Sequence, residues 1–254
     1  MRFLLLRGFG REKQHWGNFP NQLADKTNCK VLCIDLPGFG TEEKRLSPPH
    51  VKWIIQDLRH RYLKTESSEK TIVVGHSLGG MIAMHWAAEF KTDFSGVIAL
   101  NPSFRNLSSP HQRLKPKSLI KFLQITRTNS IRRRESLVLD MVSNLRNKNK
   151  EQIKEWTKVS EGADFNFINL TSQLLAGAIC KPPQKIDIPL LLLASQKDNM
   201  VSVDCSSNIA KSFGCPISYH PEAGHDIVVD DKDWVLDKLN SFKDKLQSNR
   251  SATL

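Results

Sequence analysis

The sequence predicts an α/β fold, a mostly parallel central sheet of about six strands with helices on both faces, and three observations carry that prediction. Short continuous apolar runs recur along the chain: FLLL at 3–6, VLCI at 31–34, TIVV at 71–74, GVIAL at 96–100 and PLLLLA at 189–194. A strand covered on both faces reads as such a run, whereas a half-solvated strand alternates. Segments with helical spacing, at about 17–25, 50–64, 78–90, 203–213 and 231–246, separate the runs. Strand alternating with helix calls for parallel strands joined by right-handed crossovers. Finally, 254 residues with an apolar fraction of 39% bury a core without help from disulfides or a structural metal.

Each element has its own signal. FLLL is far shorter than the roughly 7 to 15 residues of a signal-peptide core, so it reads as the first buried strand. VLCI forms the second strand, and Pro48 and Pro49 stop the chain before a helix that starts near His50. TIVV runs directly into the helical segment MIAMHWAAEF, and GVIAL supplies the fourth strand. PLLLLA is the fifth strand and CPISYH, at 215–220, a weaker sixth. Asp230 and Asp231 suit the first turn of the last helix, where negative charge meets the positive end of the dipole. The final SNRSATL reads as a loose tail.

The stretch 103–185 breaks this rhythm. It is basic and helical in pattern, with Val138, Met141, Val142 and Leu145 spaced to share one helix face, and it lies between Asn101-Pro102 and Pro182-Pro183. It is therefore expected to be a helical cap inserted into a core made of 1–102 and 186–254. The net charge is +11, and 16 Lys and Arg against 6 Asp and Glu fall between Ser103 and Lys185, so nearly all the excess is in this insertion. Arg113, Lys115, Lys117, Arg132, Arg133, Arg134, Lys148 and Lys150 form either a solvated basic face or an attractor for an anionic partner. Such a partner is an acyl group on an acidic carrier protein, a charged thioester or an anionic membrane surface. Nucleic acid is not expected, because aromatics do not interleave the basic residues and no binding motif occurs. Five scattered cysteines without a C-x-x-C pair read as reduced thiols of a cytoplasmic protein rather than metal ligands. Nowhere do about 20 consecutive apolar residues occur, so no transmembrane segment is expected.

The chemistry starts at Gly75-His76-Ser77-Leu78-Gly79, placed between the run TIVV and a helix. A serine on a sharp strand-to-helix turn needs residues without bulk two before and two after it, and Gly75 and Gly79 meet that need. The turn exposes the hydroxyl at the carboxyl edge of the sheet and aims the backbone N–H of Leu78 at a developing oxyanion. A serine hydroxyl needs a general base, which itself needs an orienting acid. Asp198 follows the fifth strand in SQKDNMV, and His225 lies in the loop HPEAGHD after the sixth. Serine, acid and histidine thus arrive in the chain order that accompanies a serine on such a turn in this kind of α/β fold.

In LLLRGFG, IDLPGFG, VVGHSLGGM, SQKDNMV and EAGHD the chain resembles the α/β-hydrolase family, in its small bacterial-type group of carboxylesterases and acyl-ester or thioester hydrolases. The resemblance spans the chain outside 103–185. It implies an α/β-hydrolase fold, Ser77 as nucleophile, His225 as general base and acid, Asp198 as the group that fixes the imidazole, and catalysis without metal or cofactor. It also implies the backbone N–H of Phe9 as second oxyanion donor, since Arg7-Gly8-Phe9-Gly10 stands at the family's His-Gly-x-Gly segment. Arg7 departs from the family's histidine, and reads either as a structural ion-pair partner or as a ligand for a substrate carboxylate. The family's first hairpin has no counterpart, so six strands are expected. Trp16 either lines the pocket or anchors the first helix. Asp35, Pro37, Gly38 and Gly40 shape a loop or line the site, His76 reads as structural, His220 packs or faces solvent, and Asp204, six residues beyond Asp198 and within a helix, is the less favoured acid. The implied reaction is hydrolysis of a carboxylic ester or thioester through an acyl-enzyme. Carbon-carbon bond hydrolases and perhydrolases share the triad, and a non-catalytic ligand-binding or protein-interaction module on the same fold is the rival from another class.

Overall fold

Strands β1 (Arg2–Leu6), β2 (Lys30–Cys33), β3 (Thr71–His76), β4 (Gly96–Leu100), β5 (Leu190–Ser195) and β6 (Ile217–His220) form one sheet in the order β2-β1-β3-β4-β5-β6, every pair parallel. The computed structural model describes residues 1–65, 67–162 and 166–251. Alternate residues of each strand enter different cores, which is why the strands read as unbroken apolar runs. Leu4, Leu6, Val73, Val97, Ala99 and Leu192 pack on one face against α2 (Val51–Leu63), α3 (Leu78–Glu89) and α9 (Val203–Phe213). Phe3, Leu5, Ile72, Val74, Ile98, Leu100 and Leu193 pack on the other against α1 (Phe19–Thr27) and α11 (Lys232–Ser251).

The chain runs from β1 outward to β2 and then returns to place β3 on β1's other side. The strand order therefore reverses between β1 and β3, and a crevice opens beyond their carboxyl ends, the usual ligand position in open α/β sheets. The loops that leave these two strands carry Arg7 to Arg11 and Ser77.

Between β4 and β5 lie helices α4 (Pro110–Arg113), α5 (Pro116–Arg127), α6 (Ile131–Val142), α7 (Lys150–Glu161) and α8 (Phe167–Ile179). Ile125, Leu139, Met141, Val142 and Trp156 form their own small core. Polar side chains fasten these helices to the sheet loops. Asn169 of α8 is fully buried, donates from Nδ2 to the carbonyls of Gly38 (3.1 Å) and Arg45 (3.0 Å), and accepts the Ser47 N–H (2.9 Å). Gln173 Oε1 accepts the Gly10 N–H at 3.0 Å. Replacing Asn169 with alanine leaves three backbone groups without this partner, two of them in buried bonds. The expected cost is about 2 to 3 kcal/mol, read as a fall in Tm of roughly 4 to 12 °C; an unchanged Tm would show the latch to be dispensable.

Three expectations need correction. Asp230 is not in the first turn of the last helix, which begins at Lys232; it ends the short helix α10 (Ile227–Asp230). Leu145 does not share the helix face with Val138, Met141 and Val142, because α6 ends at Val142 and Leu145 is exposed. The Asp230 carboxylate draws the chain out of the helix there, accepting the Ser143 hydroxyl and the N–H groups of Asn144 (3.0 Å) and Leu145 (3.1 Å). The tail expected at 248–254 starts inside α11, which continues to Ser251, and residues 252–254 lie outside the described residues. Among the described residues no helix is long and apolar enough to cross a membrane.

Candidate active site

Ser77 sits at the junction of β3 and α3 with φ 53° and ψ −116°, a left-handed conformation that an L-residue enters only under strain. Such strain costs of order 1 to 3 kcal/mol and persists only where the surroundings impose it. Here they do. A Cβ at Gly75 would come within 2.2 Å of the Gly79 carbonyl oxygen, and one at Gly79 within 2.5 Å of the carbonyl oxygens of Leu6 and Arg7. Strand and helix thus meet at a distance that only glycine allows, and the Ser77 N–H is tied to the Leu100 carbonyl at 2.8 Å. Leu78 opens α3, so its N–H has no partner within the helix.

The loop after β1 crosses directly over the serine. A Cβ at Gly8 would lie 3.2 Å from the Ser77 Cβ. Phe9, the next residue, lines the cavity beside Ser77, its ring centroid 5.9 Å from that of Phe122 on α5.

Asp198 and His225 come from the loops after β5 and β6 and meet. His225 Nδ1 donates to Asp198 Oδ2 at 2.6 Å, with both side chains only 2% exposed. Asp198 is fixed in turn, because its Oδ1 accepts the N–H groups of Met200 (2.7 Å) and Val201 (2.9 Å). The His225 carbonyl accepts His76 Nε2 at 2.9 Å and Asn101 Nδ2 at 2.7 Å, so the histidine is held at ring and backbone alike. With Nδ1 protonated toward the carboxylate, Nε2 keeps its lone pair, and that atom is buried without a hydrogen-bond partner in the protein.

Ser77, His225, Phe9, Gly8, Gly38 and Gly40 all line one cavity of about 140 Å³ at the carboxyl edge of the sheet. That is close to the roughly 150 Å³ of an engineered apolar cavity that takes benzene. Its other walls come from the inserted helices, through residues such as Phe122, Val138, Trp156 and Leu170. A strained serine and an oriented imidazole that line one cavity can add an oxygen nucleophile to a carbonyl carbon.

The remaining residues singled out from sequence fall as follows. Arg7 is buried and pairs with Asp226, Nη2 to Oδ2 at 2.6 Å, while its guanidinium stacks 4.5 Å over the Trp16 ring. Burial disfavours the Asp226 carboxylate, but Arg7 and His76 outweigh it and hold the carboxyl well below its usual range. Trp16 is not among the residues lining the cavity; it stacks on Phe19 of α1 at 5.7 Å and anchors that helix. Burial lowers His76 to about 4, so its ring is neutral and serves as a donor to His225. His220 accepts the N–H groups of Glu222 and Ala223 and meets Asp231, away from the site. Asp204 accepts the Ser202 hydroxyl at 2.9 Å and does not approach His225. Asp35 accepts the Lys13 and Thr41 N–H groups and so shapes the loop whose Gly38 and Gly40, both at positive φ, line the cavity.

Several residues of the site carried no sequence signal of their own. Asn101, at φ 47°, joins β4 to β5 through Ser195 and supports His225. Arg11 pairs with Glu135 of α6 at 2.6 Å and stacks 4.1 Å over Trp156 of α7. Arg113 and Lys115, assigned to the basic face, point inward instead: Arg113 donates to the Gly177 and Ala178 carbonyls and Lys115 to that of Asp198.

Comparison with known proteins agrees with the geometry. The chain is 23% identical over 240 residues to the human "Monoacylglycerol lipase ABHD6", covering 89% of this chain and 70% of that one. It is 22% identical over 249 residues to the "Pimeloyl-[acyl-carrier protein] methyl ester esterase" of Pseudoalteromonas atlantica, covering 94% and 93%. Its fold matches a thermophilic esterase from Thermogutta terrifontis with a TM-score of 0.73 at 18% identity, covering 97% of this chain and 90% of that one. A lipase-esterase related protein from Clostridium acetobutylicum matches with a TM-score of 0.74 at 19% identity, covering 95% and 93%. The family model described as "Serine aminopeptidase, S33" matches residues 2–232, and the chain therefore belongs to this family of α/β hydrolases, among relatives named as esterases and lipases.

Proposed function

We propose that the protein is a serine hydrolase that cleaves a carboxylic ester or thioester through an acyl-enzyme, with helices α4 to α8 acting as a cap over Ser77. The observation that supports it most is the 2.6 Å contact between His225 and Asp198, at the cavity that also exposes the strained Ser77. His225 Nε2 accepts the Ser77 proton as Oγ adds to the substrate carbonyl. The N–H groups of Leu78 and Phe9 hold the oxyanion, each such donor contributing about 10²- to 10³-fold in rate. Collapse of the tetrahedral adduct expels the alcohol or thiol, which takes its proton from His225. Water then repeats the sequence on the acyl-serine, freeing the acid and restoring Ser77. These steps need no metal or cofactor.

Acyl-enzyme chemistry has a kinetic signature. With p-nitrophenyl esters of increasing chain length, a burst of p-nitrophenol equal to the enzyme concentration is expected before the steady state. No turnover of any ester or thioester would favour the non-catalytic module.

The exposed basic residues Lys117, Arg132, Arg133, Lys148 and Lys150 support an anionic partner, such as an acyl group on an acidic carrier protein. Steering of that kind weakens as salt shortens the screening length. The kcat/KM for a carrier-bound substrate is expected to fall with salt more steeply than that for a neutral p-nitrophenyl ester; equal dependence would remove the idea. The five cysteines are free thiols, which supports a cytoplasmic location.

A further inference from the structure

The cavity beside Ser77 carries more hydrogen-bond donors than the fold uses. Arg7 Nε and Nη1, and Arg11 Nε and Nη2, are buried without a partner in the protein. His15 adds another: its Nδ1 accepts the Glu12 N–H at 3.2 Å, and burial, with Arg11 and Arg7 nearby, holds the ring neutral. The single ring proton is therefore on Nε2, which also lacks a partner. All three residues line the cavity.

Glu135 and Asp226, the acids that pair with the two arginines, do not meet this surplus, and Glu12 and Glu43, which also line the cavity, make no hydrogen bond to either guanidinium among those described. Both oxygens of Glu135 are occupied, Oε2 by Arg11 at 2.6 Å and Oε1 by the Ser160 hydroxyl at 2.8 Å. Asp226 accepts from Arg7 through Oδ2, and only its Oδ1 is unpaired. Trp16 and Trp156 hold the two guanidiniums by their faces, and Asp226 and Glu135 each take one in-plane nitrogen, so the unpartnered N–H groups lie in the planes between them. Burial lowers Arg11 from its ordinary value, Glu135 offsets part of this, and Arg7 adds to it, so an anion between the arginines would relieve both. Buried donors left unpaired are costly, and a carboxylate, with about four acceptor sites, matches a set of guanidinium N–H groups.

We propose that Arg7, Arg11 and His15 form a carboxylate subsite, so that the preferred substrates are esters whose short acyl chain ends in a free carboxylate. This rests on the ester-hydrolase reading above. The acyl half stays on Ser77 while the alcohol departs, so recognition built into the enclosed wall acts on the acyl chain. A cavity of about 140 Å³ suits a chain of a few carbons.

Binding to the Ser77→Ala protein tests the subsite without turnover. By calorimetry, monomethyl glutarate is expected to bind about 10- to 100-fold more tightly than dimethyl glutarate, the range for hydrogen bonds to a charged group. Equal or weaker binding of the monoester overturns the proposal. In turnover, the wild-type kcat/KM for mono-p-nitrophenyl glutarate should exceed that for p-nitrophenyl pentanoate by a similar factor. Single substitutions would strand a buried charge, so the pairs are neutralised together, as Arg7→Gln with Asp226→Asn and Arg11→Gln with Glu135→Gln. The preference is expected to collapse in whichever of these folds, as judged by thermal unfolding, and its survival in both folded variants overturns the proposal. If the monoester binds tightly but no ester is cleaved, the subsite stands and the esterase reading fails.

Discussion

Ser77→Ala is expected to lower kcat for ester hydrolysis by about 10⁶-fold, the scale seen when a serine-triad nucleophile is removed. The effect should be chemical rather than structural. Among the described residues no hydrogen bond of the Ser77 hydroxyl holds the fold, and alanine tolerates φ 53° no worse than serine does. The Ser77 N–H bond to Leu100 and the glycine contacts around the turn are backbone features and survive. Steady-state kinetics on a p-nitrophenyl ester, alongside an unchanged thermal unfolding curve, checks both halves; activity within tenfold of wild type would remove Ser77 from the chemistry.

Asp198→Asn is expected to cost about 10⁴-fold in kcat with the geometry preserved. An asparagine side-chain oxygen can still accept the Met200 and Val201 N–H groups that now hold Oδ1. Its NH₂ then faces His225 Nδ1, which must accept rather than donate. The ring proton moves to Nε2, where it points at the nucleophile and the base loses its lone pair. Measured kcat near wild type would mean that the 2.6 Å contact orients nothing that matters to the reaction.

How far the sequence foretells this arrangement depends on the range of the interactions involved. The strands are legible because both faces are covered, so FLLL, TIVV and GVIAL need no alternation to be recognised. Ser77 is legible because its requirement is local: two glycines, a strand before and a helix after. Asp198 and His225 are legible as the right residue types after the right strands. The ion pairs are not. Arg7 and Asp226 are 219 residues apart and Arg11 and Glu135 are 124 apart, and no periodic pattern connects a loop after the first strand to a helix of the insertion. Asn169 is unreadable for the same reason, as one of four polar residues in its helix, with nothing local to mark it as the one whose partners lie in the loop after β2. Helical spacing continues past Val142 in the sequence as far as Leu145, while the Asp230 carboxylate, far along the chain, ends the helix there. Charge counting likewise registered Arg113 and Lys115 as surface charge, although both spend their donors on carbonyls within the fold.

Everything proposed for the chemistry turns on Ser77 as the attacking group. Treating the wild-type protein with a fluorophosphonate and mapping the modified peptide by mass spectrometry tests it most directly. One adduct per chain, on Ser77 and absent from Ser77→Ala, is the expected result. Labelling at another residue, or no labelling while ester hydrolysis proceeds, would contradict it.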